Sequence, residues 1–541
     1  MSLNEKGIYK IKVPYRKEDF ETSTGCIEIF RKHLAKVLEL QNSNSIKQTD
    51  LKNYYLGIQD IRTKKRMFSS DNSFNNQTVE NHALAQVDFL TDYLLSEKVK
   101  FSSKSMEDVD DISVFENFLT DAGFYTTYRE TKKDMFMLGV GVSYANPRTD
   151  IIETNEKGMT SYSKDYKKDV QSPFIYTYLD PRNNFVVYSS YAGEAPLFCV
   201  SITDKSVGNE LPMYDIEIWT YKWYFKYEAT SSSENPYVID FEVPPYKVQP
   251  LAFTKGLPIV ETYCNKERIG IIEVNRDVYN LINLIDSLGA DAMYDVLNKV
   301  FVFENVEISG DDFDNMIANK SIKVTSSGNP NEKPNVYTIE VSYPHSDINV
   351  FYKELVQQSY DIVGVPRASG NSSNGTTGDG QRYGGGWENA EIKMNGRIIG
   401  MQQSDYQLLK LLFDICKLVP QTKINELEPS QIEITYQLSV NDNIQSKTQS
   451  ASALYSMHFP LEAILKKCRL SNDPINDAKK WQTYIDEIEK KNEEKEMRKA
   501  EQSAKQFENQ KEMVEQKTKD QEKAKVEKGI NQKGVKDIKE N

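Results

Sequence analysis

The stretch from Pro344 to Pro420 constrains this chain more than any other. It reads as a helix, a glycine-rich loop and a second, very long helix. In Ser346–Pro366 the apolar residues Ile348, Phe351, Leu355, Ile362 and Val363 fall mostly at three- and four-residue steps, the period of one helix face. Pro366 bounds the segment, because proline donates no N–H and disfavours helix in the residue before it. The run ASGNSSNGTTGDGQRYGGG (368–386) has almost no apolar content. Trp387–Val419 then continues to Pro420 without a proline, and at 1.5 Å per residue it would span roughly 48 Å. A polar loop of about nineteen residues between two helices is unusual in a compact fold and marks either function or disorder.

The rest of the composition narrows the function classes. A chain of 541 residues has room for two or more domains with sizeable cores. No run approaches the length of apolar sequence a membrane span needs. The start, MSLNEKGIYKIKVPYRKEDF, lacks the apolar core of a signal peptide, so a cytosolic origin is expected. Cys26, Cys199, Cys264, Cys416 and Cys468 lie far apart with no CxxC pair, which reads as small core residues rather than disulfides or a zinc site. The net charge of −13 argues against a tight grip on nucleic acid, which is driven by counterion release at a basic surface. It leaves open a protein that must let DNA slide.

Taken in order, the N-terminal part reads as helical over Cys26–Gln41, Thr78–Val99 and Asp111–Gly139. His33 and His82 sit singly there, as structural histidines would. Beyond Gly139 the period shortens to that of strands, ending in MYDIEIWTYKWYFKYE. In that segment Trp219, Tyr221, Trp223, Phe225 and Tyr227 alternate with Thr220, Lys222, Tyr224 and Lys226. This pattern suits a face buried against helices better than a platform for stacking bases. A long apolar helical stripe follows, through Val274, Val278, Leu281, Ile282, Ile285, Leu288 and Leu297, and it could face either a core or another subunit. Phe301–Tyr343 is a small strand- and turn-rich insert between two helices, the outline of a stem carrying a head. After Pro420 come a strand at Gln431–Val440 and helices at Thr448–Ser456 and Leu461–Lys467, with Asp473-Pro474 as a helix start. From about Asp486 the chain is Glu/Lys/Gln-rich with a sparse apolar seam, so a frayed, disordered, solvated tail is expected, with a partner-binding helix as the alternative.

Catalytic signatures are missing. The glycine loop has no GxxxxGK[ST], and HExxH, GxSxG and histidine pairs at metal spacing do not occur. Asp311, Asp312 and Asp314 lack the glycine and terminal Glu of a calcium loop and read as solvated turn residues. The expectation is a protein that is not an enzyme, with no cofactor and no metal.

Three blocks together resemble the portal proteins of tailed bacteriophages, in particular those of phages infecting Gram-positive bacteria. They are YLDPRNNFVVYSSYAGEAPLFCVSI, then LPIVETYCNKERIGIIEVNRDVYNLINLIDSLGADAMYDVLNKVFVFEN, then the helix–loop–long-helix unit. The likeness spans about Gly57 to Trp481. It implies an α+β fold of portal architecture, with wing, long stem helices, small α/β clip, channel loop and helical crown. Mapped onto this chain, residues 1–268 would be the N-terminal wing and 269–300 a stem helix. Residues 301–345 would be the clip, 346–367 the second stem helix and 368–386 the channel loop. Residues 387–447 would give the long helix and a wing strand, 448–485 the crown and 486–541 the charged tail.

The resemblance further implies a homo-oligomeric ring, of twelve copies in the family, at the capsid vertex of the virion. It would be made in the bacterial cytoplasm and would pass double-stranded DNA during packaging and ejection. Implied partners are the terminase motor, the head–tail adaptor, and the major capsid and scaffolding proteins. Channel-loop candidates are Arg367, Asn371, Asn374, Asp379, Gln381, Arg382 and Tyr383, with Lys393 at the loop's exit. Stem or intersubunit candidates are Val278, Leu281, Ile285, Leu288, Phe351 and Leu355. A non-ring head-assembly scaffold or minor capsid protein, using the charged tail to bind partners, is the competing reading. A packaging ATPase or nuclease is disfavoured by the missing phosphate loop.

Overall fold

The computed structural model describes residues 6–534 except 66–74, 105–108, 151, 155–159, 163–165, 168–169, 207–211, 233–235, 252–254, 298–299, 306–309, 311–332, 340–344, 367–385, 419–423, 425–427, 439–443 and 472. The chain divides into one unit ending at Gln445 and a second beginning at Ser446.

In the first unit, Thr22 caps helix α1 (Ser23–Tyr55) by accepting the Gly25 amide. The helix runs well beyond the stretch whose apolar pattern announced it. Its second half buries Gln41, Asn44 and Gln48, which look solvent-facing in the sequence. Gln41 donates to the carbonyls of Pro181 and Arg182, and Asn44 pairs with both backbone groups of Tyr9. The first half lies on a six-stranded sheet with strand order β1 (Lys12–Val13), β7 (Asn184–Ser189), β8 (Pro196–Asp204), β9 (Met213–Trp219), β10 (Trp223–Thr230) and β11 (Lys247–Pro250). The β1–β7 pair is parallel and the others are antiparallel. The aromatic-rich segment is thus a hairpin rather than one strand. Phe225 and Tyr227 are buried against Phe30 of α1, with ring centroids 5.2 and 6.4 Å away, so this face belongs to the core.

Two helices replace the single expected run over 111–139: α3 (Val109–Asp121) and α4 (Phe124–Leu138). They part at Gly123, whose φ of +65° is a conformation side chains resist. Helix α2 (His82–Leu94) is also shorter than expected, because Asn81 caps it and the preceding residues are extended. A three-stranded sheet, β12 (Ile259–Thr262), β3 (Gly141–Pro147) and β6 (Phe174–Leu179), lies beside α4.

Helix α5 (Ile271–Leu297) leads to the antiparallel pair β13 (Val300–Glu304) and β14 (Asn335–Ile339), and α6 (His345–Val363) leads away from it. Helix α7 (Trp387–Cys416) follows, and β15 (Ile432–Thr435) pairs with β2 (Lys100–Ser103). The C-terminal half of α7 buries Leu408, Leu412 and Phe413 against α3 and α4, while Ala390, Met394 and Met401 join α2, α4 and the start of α5 in a second core.

The second unit holds α8 (Ile444–Ser456) from Ser446 on, α9 (Leu461–Lys467) and α10 (Pro474–Gly534). Asp473 accepts the Asn476 amide at the start of α10, as its sequence position suggested. Within the charged segment the helix continues to Gly534, and from Asp486 to Lys525 its side chains are exposed except the half-buried Ile488. Glu, Lys, Gln and Ala dominate there, so local propensity favours helix even with no buried face.

Candidate assembly and DNA-channel surface

Helix α5 carries opposite chemistry on its two faces. Toward the protein, Asn275, Tyr279, Asn283, Ser287 and Asp291 recur every four residues and are all buried. The last three meet an extended strap. The amides of Asn76, Thr78 and Glu80 donate to Asp291 Oδ1 (2.8 Å), Ser287 Oγ (3.0 Å) and Asn283 Oδ1 (2.9 Å) respectively. Two extended residues advance roughly 6.6 Å and four helical ones about 6 Å, so the two rows stay in step. Asp291 also receives Lys64 Nζ at 2.9 Å. Burial alone would raise its pKa, but the bonds from Lys64 and Asn76 outweigh that and hold it below the ordinary carboxylate value. Asn275 Nδ2 reaches the Ser359 carbonyl of α6 at 2.7 Å. The sequence offered one signal for this ladder, the four-residue recurrence of polar residues inside an otherwise apolar helix.

The other face of α5 exposes Val274, Leu281, Leu284 and Leu288, three of them at seven-residue steps. That is the spacing of a seam between helices. Of the six residues expected at stem or subunit contacts, Leu355 is buried, and Val278 and Ile285 pack with it and with Ile282 and Val356 between α5 and α6. Leu281 (37% exposed), Leu288 (48%) and Phe351 (50%) face outward.

At the base of the glycine-rich segment, α7 clasps the end of α6. Lys393 Nζ donates to the carbonyls of Asp361 and Ile362, and Arg397 Nη2 donates to that of Val363 at 2.7 Å. The last carbonyls of a helix have no partners within it, and they carry the negative end of its dipole, so two cations one turn apart suit them. Gly364 permits the approach: its φ is +73°, and a Cβ there would lie 2.6 Å from Lys393 Cδ. Burial, then the nearby charge of Arg397, holds the Lys393 pKa below its usual value. Lys393, expected as a cation near a channel, is thus engaged in closing a helix. Arg367, Asn371, Asn374, Asp379, Gln381, Arg382 and Tyr383 lie outside the described residues, as do Asp311, Asp312 and Asp314.

Two buried ion pairs hold these elements together, one between α4 and α7 and one between β12 and the residues before α5. Lys132 Nζ lies 2.6 Å from Asp405 Oδ1, and Asp405 Oδ2 accepts the hydroxyls of Tyr128 and Tyr436. Arg268 and Glu261 pair at 2.8 Å, and Glu261 also accepts the Val186 amide and the Tyr188 hydroxyl. The single histidines are structural where described: His33 packs edge-on against Tyr15, and His82 bonds Glu80 and Tyr360. The cysteines are free, four of them buried. Among the described residues no group of three His, Cys, Asp or Glu side chains is placed to hold a metal, and no helix is long and apolar enough to cross a membrane.

The fold is thus a mixed α+β protein in which two paired helices flank a small β-pair, and a long helix follows a glycine-rich segment. The family model described as "Phage portal protein, SPP1 Gp6-like" matches residues 36–499, and the chain belongs to that family. This gives it a phage portal role and places it among the capsid components concerned with DNA packaging. No curated protein matches the chain.

Proposed function

We propose that copies of this chain assemble into a ring at the capsid vertex, through which double-stranded DNA is packaged and ejected, and onto which the packaging motor and head–tail connector dock. Family membership over residues 36–499 is the observation that carries this reading. The outward row of Val274, Leu281, Leu284 and Leu288 supports it, since a continuous apolar seam on one helix is the kind of surface a neighbouring copy covers. Residues 269–300 and 346–367 are the stem, 301–345 the clip, 368–386 the channel loop and 448–485 the crown, with 1–268 and 387–447 as the wing. The protein guides DNA without catalysis of its own. A net charge of −13 per copy suits a conduit that must keep a polyanion moving.

The channel loop contacts the DNA backbone rather than its bases, and Arg382 is its central cation. Reversing that charge with Arg382→Glu alters packaging or DNA retention while rings still assemble. Packaging at the wild-type level by this variant would remove Arg382 from the account.

A further inference from the structure

Among the described residues, a few buried polar side-chain atoms have no hydrogen-bond partner, and two of them, Gln48 Oε1 and Asn184 Oδ1, belong to residues that line one small cavity. Both side chains are deeply buried, at 1% and 6% exposure. The cavity lies where α1 meets β7 and the loop before α5, and Glu261 and Arg268 also line it. The orientation of the Asn184 amide is fixed, because its Nδ2 donates to the Asp180 carbonyl at 2.9 Å and so its oxygen is left as the free group. An unmet buried acceptor is costly, and two residues of one cavity wall that each carry one call for something there that donates twice.

We infer that this cavity is a binding site for one internal water molecule, which donates a hydrogen to each amide oxygen. The space is of the order of a single water, and a buried water needs two to four polar partners, which these oxygens begin to supply. A small alkali cation would also satisfy two carbonyl-type oxygens. The charges around the site disfavour it: the one carboxylate there, Glu261, is already paired with Arg268 at 2.8 Å, and the guanidinium would repel a second cation. The water would join α1 to β7 at the point where the Glu261–Arg268 pair anchors the residues leading into α5.

Substituting Gln48→Met in the full chain tests this by the sign of the change. Gln48 makes no other hydrogen bond among the described residues, so removing an orphan oxygen should raise the melting temperature by about 2 °C or more. Removing a water's acceptor instead leaves the melting temperature unchanged or lowers it, and that is the expected result. A rise would overturn the proposal. A high-resolution structure of the wild-type protein gives a reading independent of the variant's folding. One solvent peak bonded to both oxygens is expected, and an empty cavity would overturn the site. Crystals soaked in rubidium chloride should show no anomalous peak there, and a peak would replace the water with a cation.

Discussion

Asp405 is the residue whose loss should be felt most sharply. Its carboxylate accepts from Lys132, Tyr128 and Tyr436, joining α7 to α4 and to the chain after β15. The Lys132 side chain is only 1% exposed, and without Asp405 its ammonium keeps Thr262 Oγ1 at 3.0 Å and the Tyr128 ring, centroid 4.7 Å away, but no counter-charge. Breaking a buried pair by removing one partner costs about 3–5 kcal/mol, because the remaining charge cannot reach water. Asp405→Ala should therefore speed native-state amide exchange in the α4 and α7 segments about 100- to 5,000-fold. The double variant Lys132→Met/Asp405→Leu removes both charges and keeps the volume, so it should recover about 2 kcal/mol or more of that loss. Costs that simply add would refute the reasoning, as would a single-variant effect below about 1 kcal/mol, since either means the pair is not an isolated buried charge couple.

Two further outcomes follow from local geometry. Burial raises the Asp134 pKa from 3.8 to about 6, despite the hydroxyl of Tyr178 that it accepts. The folded state then holds this proton more tightly than the unfolded one, so stability falls as pH rises from about 4 to 6, by up to about 3 kcal/mol. Asp134→Asn should flatten that slope and raise stability at pH 7–8, which urea titrations across pH would read. Gly400 of α7 sits so close to the strand-end loop that a Cβ would lie 2.0 Å from the Cys264 carbonyl oxygen. Gly400→Ala should cost about 1–3 kcal/mol through forced displacement of the helix, visible as a lowered melting temperature, whereas alanine at an unconstrained helix position would stabilise.

What could be read from the sequence was whatever expressed itself as period or punctuation. The apolar steps of 346–366 and of Val274–Leu297 gave α6 and α5, and Pro366 lies just past the end of α6. The resemblance in three blocks is matched by the family to which the chain belongs. Long-range polar pairing was not legible. Gln41 and Asn44 carry no periodic signal of burial, and the four-residue recurrence through Asn283 and Ser287 does not name its partner, yet these residues fix α1 and hold the strap of residues 75–81 against α5. The end of the strap, 78–81, read as helix because its composition is compatible with one, and partners some two hundred residues away decide otherwise. Lys393 looked like a free cation for the same reason, since the carbonyls that take it up belong to a different helix.

The central claim is that copies of this chain surround a hole. Imaging the purified protein down the particle axis, with its mass measured in solution, tests this most directly. The account predicts rings of about twelve copies with an open centre, and it predicts that Leu281→Asp/Leu288→Asp leaves folded single chains. Wild-type protein that stays monomeric at high concentration, or rings that form undisturbed by both aspartates, would contradict it.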